Sequence, residues 1–216
     1  MVFTVERINK PLEYERYIKL QNSLRVKKKE LLLLCEHSST ITAGVQFDYK
    51  NLLSNAEELK SLNIKFIKVA RGGDITAHEP GQCIIYPHVD LKKRNIQLSH
   101  FFKTIMDITS RNLLRIWNIE TIYKNDYPGL YLLSGEKIAS IGISFKSFFT
   151  SHGIAVNISN NLETFKHIIP CGMNDVSMTS VSMLKKDLNL VTLFVEHWIK
   201  DFQEYLKSPP PSHMHS

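Results

Sequence analysis

Cys171 lies between Pro170 and Gly172, residues that hold a chain in a turn, whereas Cys35 and Cys83 border apolar runs that read as buried strand. A free cysteine is ordinarily packed as a small hydrophobe, and that reading suits Cys35 and Cys83. In a turn the thiol is exposed instead. Backbone N–H groups, with those of Cys171 and Gly172 as the candidates, can then favour its thiolate or hold an oxyanion. The chemistry this context allows is nucleophilic attack on an activated acyl group, with Cys171 as the nucleophile.

The densest turn chemistry is the stretch from Arg71 through Gly72, Gly73, Asp74, Thr76, His78, Glu79, Pro80 and Gly81 to Gln82. Its glycines let the backbone approach a ligand closely, and Arg71 and His78 add polar groups. The simplest reading is a connection between two strands. It is neither a G-x-x-x-x-G-K-[ST] loop nor a G-x-G-x-x-G loop, so no nucleotide phosphate site is indicated. Lys137 opens the strand-like run Lys137 to Gly142, where composition alone makes it an ordinary solvated lysine. The nine histidines include no H-x-x-x-H, and the three cysteines no C-x-x-C, so neither a metal nor any other cofactor is expected.

These groups need elements to hold them. Helical spacing between Pro11 and Lys29 leads into the apolar run Leu31 to Cys35, which reads as helix and then buried strand. A second helix is expected from Asn51 to Leu62, and a strand from Ile64 to Val69. The strongest periodicity, Ser99 to Trp117, predicts a long helix with Ser99 as its N-cap. From Ile119 to Asn157 short β-prone runs are separated by Pro128-Gly129, Ser134-Gly135 and Ser151-His152-Gly153, which predicts a meander of strands. Helices are expected near Ser180 to Leu188 and from Val191 to Leu206. Strands and helices mix without strict alternation, so the class is α+β. Residues 1–207 are expected to form one domain, and 208–216 a disordered proline-rich tail.

Forty-three per cent of the 216 residues are hydrophobic and 22% charged, the balance of a globular chain. No window reaches the ~20 apolar residues of a membrane span, and MVFTVERINK lacks the layout of a signal peptide. A cytoplasmic protein is therefore expected. With 27 Lys and Arg against 21 Asp and Glu, the net charge of +6 favours acidic partners.

Taken in order and spacing, these segments resemble the lipoyl(octanoyl) transferases. The similar stretches are Arg71-Gly72-Gly73 to Thr76, His78, Pro80-Gly81-Gln82 to Tyr86-Pro87, Asp90-Leu91, Pro128-Gly129-Leu130, Lys137 to Gly142, His152 to Asn157, and Pro170-Cys171-Gly172 with Asp175 and Thr179-Ser180. The resemblance implies a mixed sheet flanked by helices, the fold of the biotin and lipoate protein ligases. It implies transfer of an octanoyl group from acyl carrier protein to a lysine of a lipoyl domain, in 2-oxoacid dehydrogenases or the glycine cleavage H protein. By the same resemblance Cys171 is the nucleophile and Lys137 its proton-moving partner. The acyl pocket falls on Arg71, Gly72, Gly73, Thr76, His78, Ser140, Ile141, Gly142, His152, Gly153, Ile154, Ala155 and Asn157. No nucleic acid or membrane partner is implied, and a monomer is expected. One departure stands out: relatives usually have glycine where this chain has Glu79, which would place bulk and negative charge beside the pocket and alter its choice of chain length.

Free cysteine and lysine titrate at about 8.5 and 10.4, so a working pair must be brought toward neutrality by burial and mutual influence. Three rival readings stay open from sequence. They are an ATP-dependent lipoate or biotin ligase, a cysteine hydrolase with His78 or His152 as base, and a non-catalytic basic binding module.

Overall fold

The computed structural model describes residues 3–124, 127–173 and 176–207. The proposed tail 208–216 and Asp175 lie outside them. Among the described residues the larger of two sheets has seven strands in the order β1 (Val5–Arg7), β2 (Leu31–Cys35), β6 (Gln82–His88), β10 (Phe149–Asn157), β9 (Lys137–Lys146), β8 (Gly129–Tyr131) and β7 (Ile122–Tyr123). Only β1 and β2 run parallel in it. A second sheet has three strands, β4 (Lys65–Lys68) parallel to β3 (Thr40–Ala43), and β3 antiparallel to β5 (Ile75–His78). The architecture is α+β, as expected, with the mixed pairing divided between two sheets.

The apolar run Leu31–Cys35 is explained by burial on both faces. Leu32 and Leu34 join the core beneath α3 (Leu98–Trp117) and α5 (Val191–Lys207), together with Ile85, Ile154 and Val156. Leu31, Leu33 and Cys35 face the other way, toward α1 (Tyr14–Val26), with Ile84, Tyr86, Phe149 and Ala155. Across the first core Trp198 Nε1 donates to Thr109 Oγ1 at 2.9 Å, so the most buried polar atoms of the α3–α5 contact satisfy each other.

Three expectations are corrected. Helix α3 begins at Leu98, the Phe101 N–H already donates to the Gln97 carbonyl at 2.9 Å, and Ser99 lies inside the helix rather than capping it. A cap is worth about 1 kcal/mol, less than seating Phe101 and Ile105 in the core. The helix expected over Asn51–Leu62 contracts to α2 (Ala56–Ser61), capped by Asn55, whose Oδ1 accepts from the Glu58 N–H at 2.9 Å. The residues before it are drawn off by another segment: Asn51 ends a 3-10 turn and Leu52 bridges to Ile168. The helix expected to reach Leu188 is the single turn α4 (Val181–Leu184).

Ser151-His152-Gly153 is not a turn either. It lies within β10, and the reversal from β9 is made by Ser147 and Phe148, both left-handed at φ 52° and 62°. What breaks the pattern at 151–153 is the neighbouring strand. Pro87 of β6 has no N–H for the ladder, and Thr150 fills the gap by donating Oγ1 to the Pro87 carbonyl at 2.7 Å and accepting from the Val89 N–H at 2.9 Å. His152 then takes φ 60°, and its N–H leaves the ladder for the Tyr17 hydroxyl at 2.8 Å. Gly153 fits only because it lacks a Cβ, which would meet the Ile85 carbonyl oxygen at 2.2 Å. Gly153→Ala is therefore expected to lower the unfolding free energy by about 3 kcal/mol, read from the urea midpoint at unchanged m-value.

Candidate active site

A cleft opens where β5 of the small sheet faces β9 and β10 of the large one, on the side covered by α1. Its walls include Arg71, Gly72, Gly73, Thr76, His78, Ser140, Ile141, Gly142, His152, Gly153, Ile154 and Ala155. Twelve positions singled out from sequence thus share one cavity. Asn157 is not among the lining residues and acts behind the wall. Sequence reasoning missed Tyr14, Gln46, Asp74, Ile75, Tyr86, Tyr127 and Pro128 as lining residues. Tyr14 arrives from a helix distant in sequence; alternation in β6 could have pointed to Tyr86, which shares the α1 face with Ile84, whereas the Ile75 side chain packs with Ala77 in the core of the small sheet.

Arg71 lines the cleft and ties its wall together. Its Nη2 donates to the Thr42 carbonyl at 2.6 Å and to Thr42 Oγ1 at 2.9 Å, and its Nη1 to the Gly72 carbonyl at 3.0 Å. Those bonds fold the Arg71–Asp74 loop against the backbone of Gly44–Gln46, where the Gly44 N–H reaches the Asp74 carbonyl at 2.8 Å and the Gln46 N–H reaches Gly73 at 3.1 Å. Gly44 and Gly142 admit this packing, since a Cβ at Gly44 would lie 2.2 Å from the Gly73 oxygen and one at Gly142 3.1 Å from Arg71 Cδ.

The inner end of the cleft is a ring of buried tyrosines and histidines. Tyr14 Oη and His152 Nδ1 are 3.1 Å apart, and His37 Nε2 and Tyr86 Oη are 3.0 Å apart. Tyr14 stacks on His78 at a centroid distance of 5.5 Å and Tyr17 on Tyr86 at 4.1 Å. Burial keeps these groups uncharged. It holds His37 and His88 at about 4, and His152 at about 3 with the Arg71 guanidinium adding to the effect. His78 lies well below its ordinary value through burial, His37 and Arg71, while burial pushes Tyr14 up to about 12. A wall of neutral rings and glycine backbone suits an uncharged chain. It also speaks against His78 or His152 as a base resting near neutrality.

Lys137 is fully buried at the start of β9. Its Nζ donates to the Pro128 carbonyl at 2.9 Å and lies 5.3 Å from the Tyr131 ring centroid. Gly129, at φ 151°, leaves it room, because a Cβ there would stand 2.4 Å from Lys137 Cε. The backbone of Lys137 is clamped by the chain leaving the Pro170–Gly172 turn: its N–H donates to Ser177 at 2.9 Å, and its carbonyl accepts from Thr179 at 2.9 Å. The Cys171 side chain lies outside the described residues. Gly172 N–H, one expected oxyanion donor, instead donates to the Ile169 carbonyl at 3.1 Å.

Cys35 and Cys83 follow the packing reading. Both are free thiols held above their ordinary value by burial, Cys83 at about 12. No helix among the described residues is long and apolar enough to cross a membrane.

Residues 7–205 match the family model described as the lipoyl protein ligase A/B catalytic domain. Curated octanoyltransferases of Leptospira interrogans and Caldicellulosiruptor bescii are 47% and 37% identical to the chain, over 84% and 80% of its length and 85% and 78% of theirs. The chain belongs to this family, on its octanoyltransferase branch. Among solved structures, lipoate-protein ligase A bound with ATP has a TM-score of 0.72 at 13% identity, over 96% of this chain and 86% of that one. A putative lipoate protein ligase of T. acidophilum with bound lipoic acid has a TM-score of 0.70 at 14% identity, over 96% and 87%. At such identities the likeness is one of fold.

Against the sequence expectation for this octanoyltransferase-branch chain, Glu79 does not face the cleft. Its carboxylate is buried on the far side, where Oε1 accepts from Asn160 Nδ2 at 2.9 Å and the Leu162 N–H at 2.7 Å, and Oε2 from the Thr164 N–H at 2.9 Å. A segment with left-handed Leu162 and a 3-10 turn at Glu163–His167 exposes backbone N–H groups that nothing regular satisfies, and Glu79 takes two of them. Asn157 continues the same network, accepting from Gln82 Nε2 at 2.9 Å and donating Nδ2 to the Thr179 carbonyl at 2.9 Å.

Two outcomes are expected. Glu79→Gly should cost about 3 kcal/mol of stability, roughly 1 for each lost hydrogen bond, measured by urea unfolding. The buried His37, His88 and His152 make stability sensitive to acid, because each is depressed in the folded chain: its contribution is complete above the ordinary 6.5 and is lost as pH falls toward the folded values near 3 to 4. At pH 5 the loss is about 2 kcal/mol for each of His37, His88 and His152. The urea midpoint should therefore fall steeply between pH 6.5 and 5.

Proposed function

We propose that this chain is an octanoyltransferase that moves an octanoyl group from acyl carrier protein to a lysine of a lipoyl domain, with Cys171 and Lys137 as its working pair. The observation that carries the reading is Lys137 itself. A lysine expected from composition to be solvated is wholly buried beside the cleft, held against Pro128, and clamped by the segment that follows Cys171. Burying an ammonium costs several kcal/mol, which a chain does not sustain for packing alone. The names of relatives at 37–47% identity support the same reaction.

In the first half the Cys171 thiolate attacks the thioester carbonyl of the donor. The bond from carbonyl carbon to carrier sulfur breaks, and the departing thiolate takes a proton from Lys137. In the second half the acceptor lysine amine attacks the acyl-cysteine. Lys137, now neutral, accepts the amine proton as the amide forms and the Cys171 thiolate leaves. The thioester is already activated, so the reaction needs no nucleotide. The neutral, ring-lined cleft suits the acyl chain, and since Glu79 turns away from it, its depth is set by Tyr14, His78, Tyr86 and His152. A cytoplasmic, monomeric enzyme formed by residues 1–207 completes the proposal. The net charge of +6 suits acidic carrier and acceptor domains.

Incubation with octanoyl-loaded carrier protein without ATP, followed by intact mass, tests the reading. An octanoyl adduct is expected that is absent in Cys171→Ala and passes to an added lipoyl domain. Lys137→Ala should slow both halves by roughly 100-fold or more. An adduct that only hydrolyses would point to a hydrolase, an ATP requirement to a ligase, and no acylation under any condition to a binding module.

A further inference from the structure

We propose that Asp74 is a positioning residue for the nucleophile, acting through Asn51 to seat the Pro170-Cys171-Gly172 turn. The inference rests on the role proposed for Cys171.

Asp74 closes the Arg71–Asp74 loop and lines the cleft. Its carboxylate also reaches out of the cleft: Oδ2 accepts from Asn51 Nδ2 at 2.5 Å and Oδ1 from the Asp48 N–H at 3.2 Å. Asn51 is almost fully buried, and three of its polar groups are committed. Its N–H donates to the Asp48 carbonyl at 3.0 Å, its carbonyl accepts from the Ile169 N–H at 2.8 Å, and its amide nitrogen is held by Asp74. The Ile169 carbonyl accepts from the Gly172 N–H at 3.1 Å, which closes the turn that contains Cys171. The turn rests directly on the pair, since a Cβ added at Gly172 would lie 3.0 Å from Asn51 Nδ2 and 3.3 Å from Asp74 Oδ2.

The order of dependence follows. The loop is fixed to the small sheet by Arg71, Gly44 and Gln46. Asp74 is thus a rigid post, Asn51 a bracket turned by that post, and the Pro170–Gly172 turn hangs on the bracket. With Asp74 truncated, the Asp48 N–H at the start of the 3-10 turn loses its acceptor, and the Asn51 amide loses the partner that keeps it under Gly172; the Ile169 bond, made by the Asn51 backbone carbonyl, remains, and the turn shifts upon it. A displacement of about 1 Å at an attacking atom is enough to slow a reaction ~100-fold. Two donors, Asn51 Nδ2 and the Asp48 N–H, converge on the Asp74 carboxylate, which is the geometry of a holding group.

The test uses the full chain with octanoyl-loaded carrier protein, comparing Asp74→Ala, Asn51→Ala, the double variant and Asp74→Asn, each first matched to wild type by circular dichroism. Asp74→Ala and Asn51→Ala should each slow adduct formation 10- to 100-fold with donor KM unchanged. The double variant should be no slower than the slower single, because both remove one link. Asp74→Asn keeps an acceptor for Asn51 and should retain at least a third of the wild-type rate, even if an alanine variant fails to fold. The pH midpoint for alkylation of Cys171 by iodoacetamide should stay unchanged in all of them. A wild-type rate in Asp74→Ala, additive losses in the double variant, or a lowered alkylation midpoint would overturn the proposal. Absence of an adduct in the wild-type chain would overturn the role of Cys171 and this inference together. An adduct in wild type and in Asp74→Ala at equal rate would overturn this inference alone.

Discussion

In the four residues from Glu79 to Gln82 the chain leaves the small sheet and enters the large one, and the cleft exists because it does so that abruptly. Pro80 and Gly81, the latter at φ 92°, turn the backbone, and the Gln82 N–H closes back on the Glu79 carbonyl at 3.3 Å. A side chain at Gly81 would strike the backbone of Asn160 at 2.6 Å, so the crossing is pressed against the segment that leads from β10 toward Cys171. One side of the crossing presents His78 to the cleft. The other presents Glu79 to Asn160, Leu162 and Thr164, and Gln82 to Asn157. The wall of the cavity and the course of the segment that leads to the Pro170–Gly172 turn are thus set by a single turn.

Around that turn the polar groups divide into two kinds. The rings of Tyr14, His37, His78, Tyr86 and His152 are buried without net charge, and they serve by shape and by pairing with one another. Arg71, Lys137, Glu79 and Asp74 bear the charges, and each is anchored to backbone or amide groups: Arg71 to Thr42, Lys137 to Pro128, Glu79 to Leu162 and Thr164, Asp74 to Asp48 and Asn51. Groups anchored in this way keep their direction without water to orient them.

Much of this was legible in the residues, and the exceptions have physical reasons. The buried strand at Leu31–Cys35, the long α3 and the packed Cys35 follow from patterns that depend on near neighbours in sequence. The resemblance names thirteen pocket positions and twelve line one cavity, where glycines such as Gly142 and Gly153 let backbone approach its neighbours. Glu79 was misjudged because its partners, Asn160 to Thr164, lie about eighty positions away, and nothing local shows which way a side chain beside a turn will point. The shortened α2 fails for the same reason: Leu52 and Leu53 are helix formers, but the Ile168 and His167 backbone claims them. Tyr14 enters the site only through tertiary contact.

The left-handed residue in β10 has a consequence for the face each side chain occupies. Phe149 and Ala155, both odd-numbered, face α1, and Ile154 and Val156, both even, face α3 and α5. His152 is even, yet it meets Tyr14 and Tyr17 on the α1 side. Pairing with β6 is nevertheless in phase before and after it, Asp90 with Phe149 and Ile154 with Ile85. The strand thus inverts the parity of one residue without inserting another, delivering an imidazole to the wrong side of its own pleat while every apolar residue beyond keeps its place. A polar ring is added to the cavity at no cost in alignment, and the alternation rule that reads faces from sequence is locally false where the site needs it to be.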